Sequence, residues 1–239
     1  MTVFDLLLEV QESDTAADQL RHRRANLAER ADLAANAARA GEVQARLAGT
    51  AARRAAVLER QAEVESAISA AGQRIKDIEG RLYSGQVSAT KDILAMTAEV
   101  ESLKGRRSSL EDDLMATMEE EEPLAAEVAE SEREMAGLGE AAAALRASLA
   151  AAEQVIDAEL SGVVATRGDQ AAGLPDDLLV TYEELRAHLG GEGAARLAGR
   201  SCSGCHLTLS AQEVERVKRA SPDDLVLCEQ CGRILVRSP

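Results

Sequence analysis

The sequence predicts a mostly α protein, a long antiparallel coiled-coil hairpin followed by a small C-terminal zinc ribbon with four cysteine ligands. Three observations predict it: an apolar three-four repeat kept for ten heptads, a turn signal midway along the helical part, and two Cys-x-x-Cys pairs confined to the last 38 residues. The only aromatic residues are Phe4, Tyr83 and Tyr182, too few for a large globular core. A composition 46% hydrophobic and 29% charged, with the apolar share mostly alanine and leucine, belongs to long helices whose seam needs a partner.

From Ile93 to Val163 the repeat visits 21 positions, of which 16 are apolar, among them Val100, Leu114, Leu124, Val128, Leu138, Leu149 and Ile156. A pattern this long reads as a coiled-coil seam rather than one face of a globular helix. The first half follows the same rule more weakly. Leu6, Val10, Ala17, Leu20, Leu27, Ala31 and Ala34 share one phase; Val43, Leu47, Val57, Val64, Ile68, Ala71, Ile75, Ile78 and Leu82 share another. The change of phase is expected near Gly41, as a local change of winding or a bend.

Between the halves lies Tyr83-Ser84-Gly85-Gln86-Val87-Ser88, where Gly85 supplies turn freedom and Ser88 can cap the next helix. About 80 residues stand on either side, two arms each about 120 Å long if straight. The predicted division is therefore a hairpin over residues 1–168, with its tip near 83–88, and a linker, short helix and ribbon over residues 169–239. A tip at Gly85 would set residue n opposite roughly residue 170 minus n. That places Pro123 near Leu47 and predicts a kink there without a loop.

The net charge of −15 is uneven: residues 83–172 carry 7 basic and 19 acidic residues. That arm would repel phosphate backbones. The run Glu119 to Glu122 reads as a solvated face, and Arg21-His22-Arg23-Arg24 and Arg53-Arg54 are expected to offset the acidic arm across the hairpin. Thr166 to Gly173 reads as a polar linker. Pro175 then opens a short helix ending at Gly190-Gly191, with Leu178, Leu179, Tyr182, Leu185 and Leu189 on one face. That helix should pack on the ribbon or on the base of the hairpin, with Tyr182 a packing residue and His188 solvated.

Cys202-Ser203-Gly204-Cys205 is followed, 22 residues later, by Cys228-Glu229-Gln230-Cys231. Each pair sets two thiolates on one tight turn, and two such turns complete a tetrahedron around Zn²⁺. Ser210 and Glu213 form a capping box that opens a short helix in the insertion. Leu207-Thr208-Leu209, Leu225-Val226-Leu227 and Arg233-Ile234-Leu235-Val236 read as strands that extend the knuckles. So small a unit needs a staple, and structural zinc supplies about 10–16 kcal/mol of apparent binding free energy. Four thiolates leave no open position for an activated water. Two readings compete with this one: redox dithiols, disfavoured because no βαβ context surrounds them, and His206 in place of one thiolate.

The first residues lack a basic segment followed by an apolar core, and no apolar run reaches membrane-spanning length, so the expected address is the cytoplasm. The tip at Tyr83-Ser84-Gly85, the stretch Leu110-Glu111-Asp112-Asp113-Leu114-Met115 to Met118-Glu119, and the terminal Cys228-x-x-Cys231-Gly232-Arg233-Ile234-Leu235 resemble bacterial coiled-coil proteins with a C4-type zinc ribbon, described as predicted nucleic-acid-binding proteins. The resemblance spans nearly the whole chain. It implies a cytoplasmic, zinc-bound adaptor with Cys202, Cys205, Cys228 and Cys231 as metal ligands, in a family connected with RNA binding, chaperoning and scaffolding.

The expected function is a non-enzymatic scaffold or adaptor that engages a protein partner, with Tyr83 as a candidate anchor at the tip. The alternative is RNA or DNA binding along a basic edge of the ribbon formed by Arg216, Lys218, Arg219 and Arg233. With no aromatic after Tyr182, that edge offers no stacking platform. No spaced acid, base and nucleophile and no phosphate-cradling loop suggests an enzyme, a small-molecule substrate or a membrane ligand.

Overall fold

The protein is seen in a computed structural model that describes residues 2–85, 87–221 and 224–237. The elements run α1 (Val3–Ala25), α2 (Ala28–Tyr83), α3 (Thr90–Ala171), α4 (Asp176–His188), β1 (Ala194–Ala198), β2 (Ser201–Cys202), α5 (Ala211–Arg219) and β3 (Ile234–Arg237). Residues 32–144 form one compact unit; residues 1–31 together with 145–239 form another.

The long helical hairpin matches the expectation, and its tip lies where the turn signal placed it. Tyr83 ends α2, Gly85 takes a left-handed φ of 73°, and α3 begins at Thr90. Gln86 lies outside the described residues. The cap position falls to Ala89 rather than Ser88, the Ala89 carbonyl accepting from the Asp92 and Ile93 amides.

In the unit 32–144 the buried and half-buried positions of α2 follow an unbroken heptad from Leu33 through Asn36, Ala40, Val43, Leu47 and Thr50 to Ile78 and Leu82. Every residue assigned to the second phase lies on this stripe. Ala31 and Ala34, assigned to the first, are exposed. The phase therefore changes at Asn26, between α1 and α2, and not at Gly41, which sits inside continuous helix. Asn26 ends α1 by donating its backbone N–H to the His22 and Arg23 carbonyls and its side-chain amide to the His22 carbonyl. An asparagine that satisfies helix-end carbonyls with its own side chain competes with continuation of the helix.

The seam of α3 is also as expected, except that Ile93, Arg107 and Glu159 are exposed. Ion pairs fix the pairing of the arms: Arg46–Glu134, Arg53–Glu127 at 3.0 Å and Arg60–Glu120 at 2.6 Å, with residue numbers adding to 180 in each. Pro123 is thus level with Val57, and it lines one groove with Ala56 and Val57. The expected level near Leu47 is corrected, because the arms pair about ten residues away from a register centred on Gly85. α3 continues through Pro123 without a loop. Arg39, Arg46, Arg53, Arg60 and Arg74 recur at multiples of seven and meet Glu134, Glu127, Glu120 and Glu99 along one edge of the hairpin. Arg54 reaches Glu121 in the seam. The first arm does offset the acidic second, and two of the four glutamates at 119–122 serve in it.

In the other unit α1 buries Phe4, Leu7, Leu8 and Val10 against Ala171, Leu174, Leu178 and Tyr182, and against Ala194, Ile234 and Val236 of the sheet. Strand order is β2-β1-β3, with β1 antiparallel to β2 and parallel to β3. Alternation along the strands splits their side chains between two cores. Ala194, Ile234 and Val236 face the hairpin base; Ala195, Leu197 and Leu235 face a second core with Cys202, Cys228, Val214 and Val217. The short helix packs as expected, within the core shared by sheet and hairpin base.

Three local expectations are corrected. α3 extends to Ala171, so most of the stretch read as a polar linker is helix. The central strand, Ala194–Ala198, is absent from the expected set, since Ala-Ala-Arg-Leu-Ala carries no β-branched signal. Residues 207–209 and 225–227 form isolated bridges, Ser201↔Thr208 and Leu227↔Ile234, in place of strands. Hydrogen bonds from the Leu209 amide to the Arg200 carbonyl at 2.8 Å and from the Leu235 amide to the Val226 carbonyl at 2.7 Å supplement them.

Candidate metal centre

The two cysteine turns are built alike. In the first, the Cys202 amide donates to the Leu207 carbonyl at 3.1 Å and the His206 amide to the Cys202 carbonyl at 2.8 Å. In the second, the Cys228 amide donates to the Arg233 carbonyl at 2.8 Å and the Gly232 amide to the Cys228 carbonyl at 2.8 Å. Each turn thus closes with the residue after its second cysteine in the left-handed region. Gly232 has φ 78°, while His206 has φ 61° and is the single non-glycine residue with positive φ among the described residues. Its imidazole is exposed, and the group of close potential ligands contains the four cysteines without it.

The four sulfurs lie within 4.8 Å of one another, with Cys202 Sγ and Cys231 Sγ 3.9 Å apart. A tetrahedral tetrathiolate with metal–sulfur bonds near 2.3 Å has edges of about 3.8 Å. Backbone amides complete the fit. Those of Gly204 and Cys205 point at Cys202, those of Gln230 and Cys231 at Cys228, and that of Arg233 at Cys231. Such an array stabilises sulfur as thiolate.

Without a cation the cysteines are unequal. Burial pushes the Cys228 thiol up to about 12 and raises Cys202 as well. Burial also opposes ionisation of Cys231, yet the backbone amide and guanidinium of Arg233, with the neighbouring cysteines, bring it down to about 7. Arg233, expected on an exposed basic edge, is turned inward. Its Nε donates to the Glu192 carbonyl at 3.0 Å and its terminal nitrogen to the Leu189 carbonyl at 3.2 Å, tying the end of α4 to the second turn. Its stem also crosses the first turn, so that a Cβ on Gly204 would lie 2.6 Å from Arg233 Cδ. Only glycine admits this crossing.

Glu213 has a role that the sequence pointed to only in part. Ser210 caps α5 by accepting from the Glu213 amide at 3.1 Å, which is half of the expected capping box; the Glu213 carboxylate is engaged elsewhere and does not return to the Ser210 amide. The buried Glu213 carboxylate accepts from the Glu229 amide at 3.2 Å, inside the second cysteine turn. The remaining candidates are exposed. Arg216 pairs with Glu229 at 2.8 Å, Arg219 pairs with Glu215 at 3.5 Å, and Lys218 projects from the same helix. Tyr83 is 87% exposed at the hairpin tip.

A polar cluster that no spacing announced anchors the hairpin base. Asp14 of α1 accepts from the Tyr182 hydroxyl at 2.8 Å and from Arg167 Nε at 3.2 Å, with Arg186 Nε at 3.7 Å. Burial and the Asp14 carboxylate hold the Tyr182 phenol protonated far above its usual range. Gln11 accepts from the Gly193 amide at 2.7 Å and donates to the Gly191 carbonyl at 3.1 Å, joining α1 to the segment entering β1.

Fold and site together define a coiled-coil hairpin protein with a four-cysteine zinc ribbon. Residues 10–190 match the CT398-like coiled coil hairpin domain and residues 201–235 the C4-type zinc ribbon domain. The chain belongs to this family. The uncharacterised proteins Rv2229c and MT2288 of Mycobacterium tuberculosis are each 33% identical to it over 241 residues, covering 97% of this chain and 94% of the relative. A solved Mycobacterium smegmatis structure superposes with TM-score 0.89 at 30% identity over 100% of both chains. CT398 of Chlamydia trachomatis superposes with TM-score 0.72 at 20% identity, covering 99% of this chain and 98% of that one, a likeness of fold. Among the described residues no helix is long and apolar enough to cross a membrane.

Proposed function

We propose that the chain is a non-catalytic adaptor of the cytoplasm, stabilised by one Zn²⁺ on Cys202, Cys205, Cys228 and Cys231, that presents surfaces of its hairpin and ribbon to a protein partner. Neither a membrane nor a small-molecule substrate is part of this reading. The observation that carries it is the fate of the aromatic residues. Phe4 and Tyr182 are buried in one core, whereas Tyr83 is 87% exposed on the tip turn. An aromatic ring held in water at the end of α2 is a ready anchor for a small interface. The test is affinity capture with the full chain, with and without nuclease, using wild type and Tyr83→Ala. Nuclease-resistant partners lost with Tyr83→Ala, at unchanged melting temperature, support the adaptor; partners removed by nuclease speak against it.

Nucleic-acid binding along α5 is the second reading, favoured by Lys218 and by Arg219, whose side chain is 82% exposed. It is the weaker one. Arg216 is engaged by Glu229, Arg219 by Glu215, and Arg233 is turned inward. It requires that charge reversal at Arg216, Lys218 and Arg219 abolish salt-dependent binding of a single-stranded RNA oligonucleotide by the full chain.

A further inference from the structure

The two long edges of the hairpin within residues 32–144 differ in kind. One carries the arginine–glutamate ladder. The other follows from the heptad: Leu58 occupies the position just after the seam residue Val57, and Met118 the position just after Thr117. In an antiparallel pair these two positions face each other on the side away from the ladder. The register brings them level, because Arg60 already meets Glu120. Met115, one turn before Met118, widens the same face, and Ala51 and Ala55 continue it along α2. Leu58 is 42% exposed, Met118 53% and Met115 61%, so three large apolar side chains stand in water at one level of a surface otherwise densely charged.

Charges around this face have one sign. Glu59, Asp112, Glu119 and Glu122 border it, all exposed and without an ion-pair partner among the described residues. Between Ala48 and Glu65 of α2 the basic residues are Arg53, Arg54 and Arg60, each held by a glutamate of the ladder or the seam, and between Ser108 and Ala129 of α3 the sequence has none. A second copy would bring acid against acid here. A helix with an apolar stripe and basic flanks would match both the methionines and the rim, and unbranched methionines adapt to such stripes.

We propose that the edge formed by Leu58, Met115 and Met118 is a docking face for a basic amphipathic helix of a protein partner. The face is separate from the tip and from the ribbon, and the proposal holds whether or not those surfaces are used.

The test uses the full chain and a fluorescein-labelled 21-residue synthetic peptide with leucines at heptad spacing and lysines on the flanks. Two controls are a scrambled peptide of the same composition and an analogue with glutamate flanks. Wild type is expected to bind the first peptide saturably and the controls at least tenfold more weakly. Met115→Glu with Met118→Glu, both exposed substitutions, is expected to weaken binding at least tenfold. Because that variant adds negative charge, purely electrostatic association would strengthen instead. Equal binding of the scrambled peptide, absence of saturable binding, or an unweakened variant overturns the proposal. So does concentration-dependent self-association of wild type that the variant abolishes, since a second copy would then cover the face.

Discussion

At the scale of single residues, the two cysteine turns have the same hydrogen bonds but different residues at the left-handed position. Glycine occupies that conformation freely and histidine does not. His206→Gly is therefore expected to stabilise the zinc-loaded protein by up to about 1 kcal/mol, less the unfolded-state freedom that glycine adds, as read by denaturant titration. His206→Gly should also retain full metal stoichiometry, which excludes the imidazole as a ligand. The thiols predict a pH dependence. Cys228 at about 12 and the raised Cys202 carry protons at neutral pH, and Cys231 gains one as pH falls through about 7. Metal binding displaces those protons, so zinc affinity should rise at least tenfold per unit between pH 6 and 8 in competition with a chromophoric chelator. The ligands were legible from spacing alone, because a tetrahedral site imposes two close pairs. The inward turn of Arg233 was not, since it depends on Gly204 leaving room and on carbonyls at the end of α4.

Among the elements, long periodic helices were read most accurately, because ten heptads of side chains specify a seam without reference to anything distant. The break at Asn26 escaped that reading. A single asparagine ends α1 through local hydrogen bonds, whereas the expected change of winding or bend at Gly41 rests on placing Ala31 and Ala34 in the first phase, although the stripe runs through Leu33, Asn36 and Ala40. β1 escaped for the opposite reason, since its strand character comes from neighbours on both sides and not from its own residues. Asp14 is expected to be the costliest polar substitution in α1. Asp14→Ala leaves the buried Tyr182 hydroxyl without its acceptor and takes one of two carboxylates from Arg167, which keeps Glu183, and from Arg186, which keeps Asp18. It should cost about 2 kcal/mol by chemical denaturation. In the hairpin, Ile78 is 1% exposed in the cluster with Ile75 and Val100. Ile78→Ala should cost about 3 kcal/mol, and hydrogen exchange should place the loss in residues 32–144.

For the molecule as a whole, the sheet carries the influence of the metal. Leu235 packs with the cysteines while Ile234 and Val236, its neighbours on β3, pack with α1. Removing zinc with a chelator is therefore expected to raise hydrogen exchange in α1, α4 and the ribbon and to leave residues 32–144 protected. Equal loosening of both units would contradict that division. The unit that holds the cysteines is assembled from both ends of the sequence, residues 1–31 and 145–239. This arrangement has a consequence for biosynthesis. α1 is synthesised before the strand that completes its core, Ile234–Arg237, by more than 200 residues. At about 5–20 residues per second the interval is roughly 10–45 s. Phe4, Leu7 and Leu8 wait first for Ala171, Leu174, Leu178 and Tyr182 and only at the end of that interval for Ile234 and Val236, while the intervening hairpin can already zip from its tip. A nascent chain arrested before Ala171 should thus present α1 as its principal sticky segment, the state in which a chaperone would meet it.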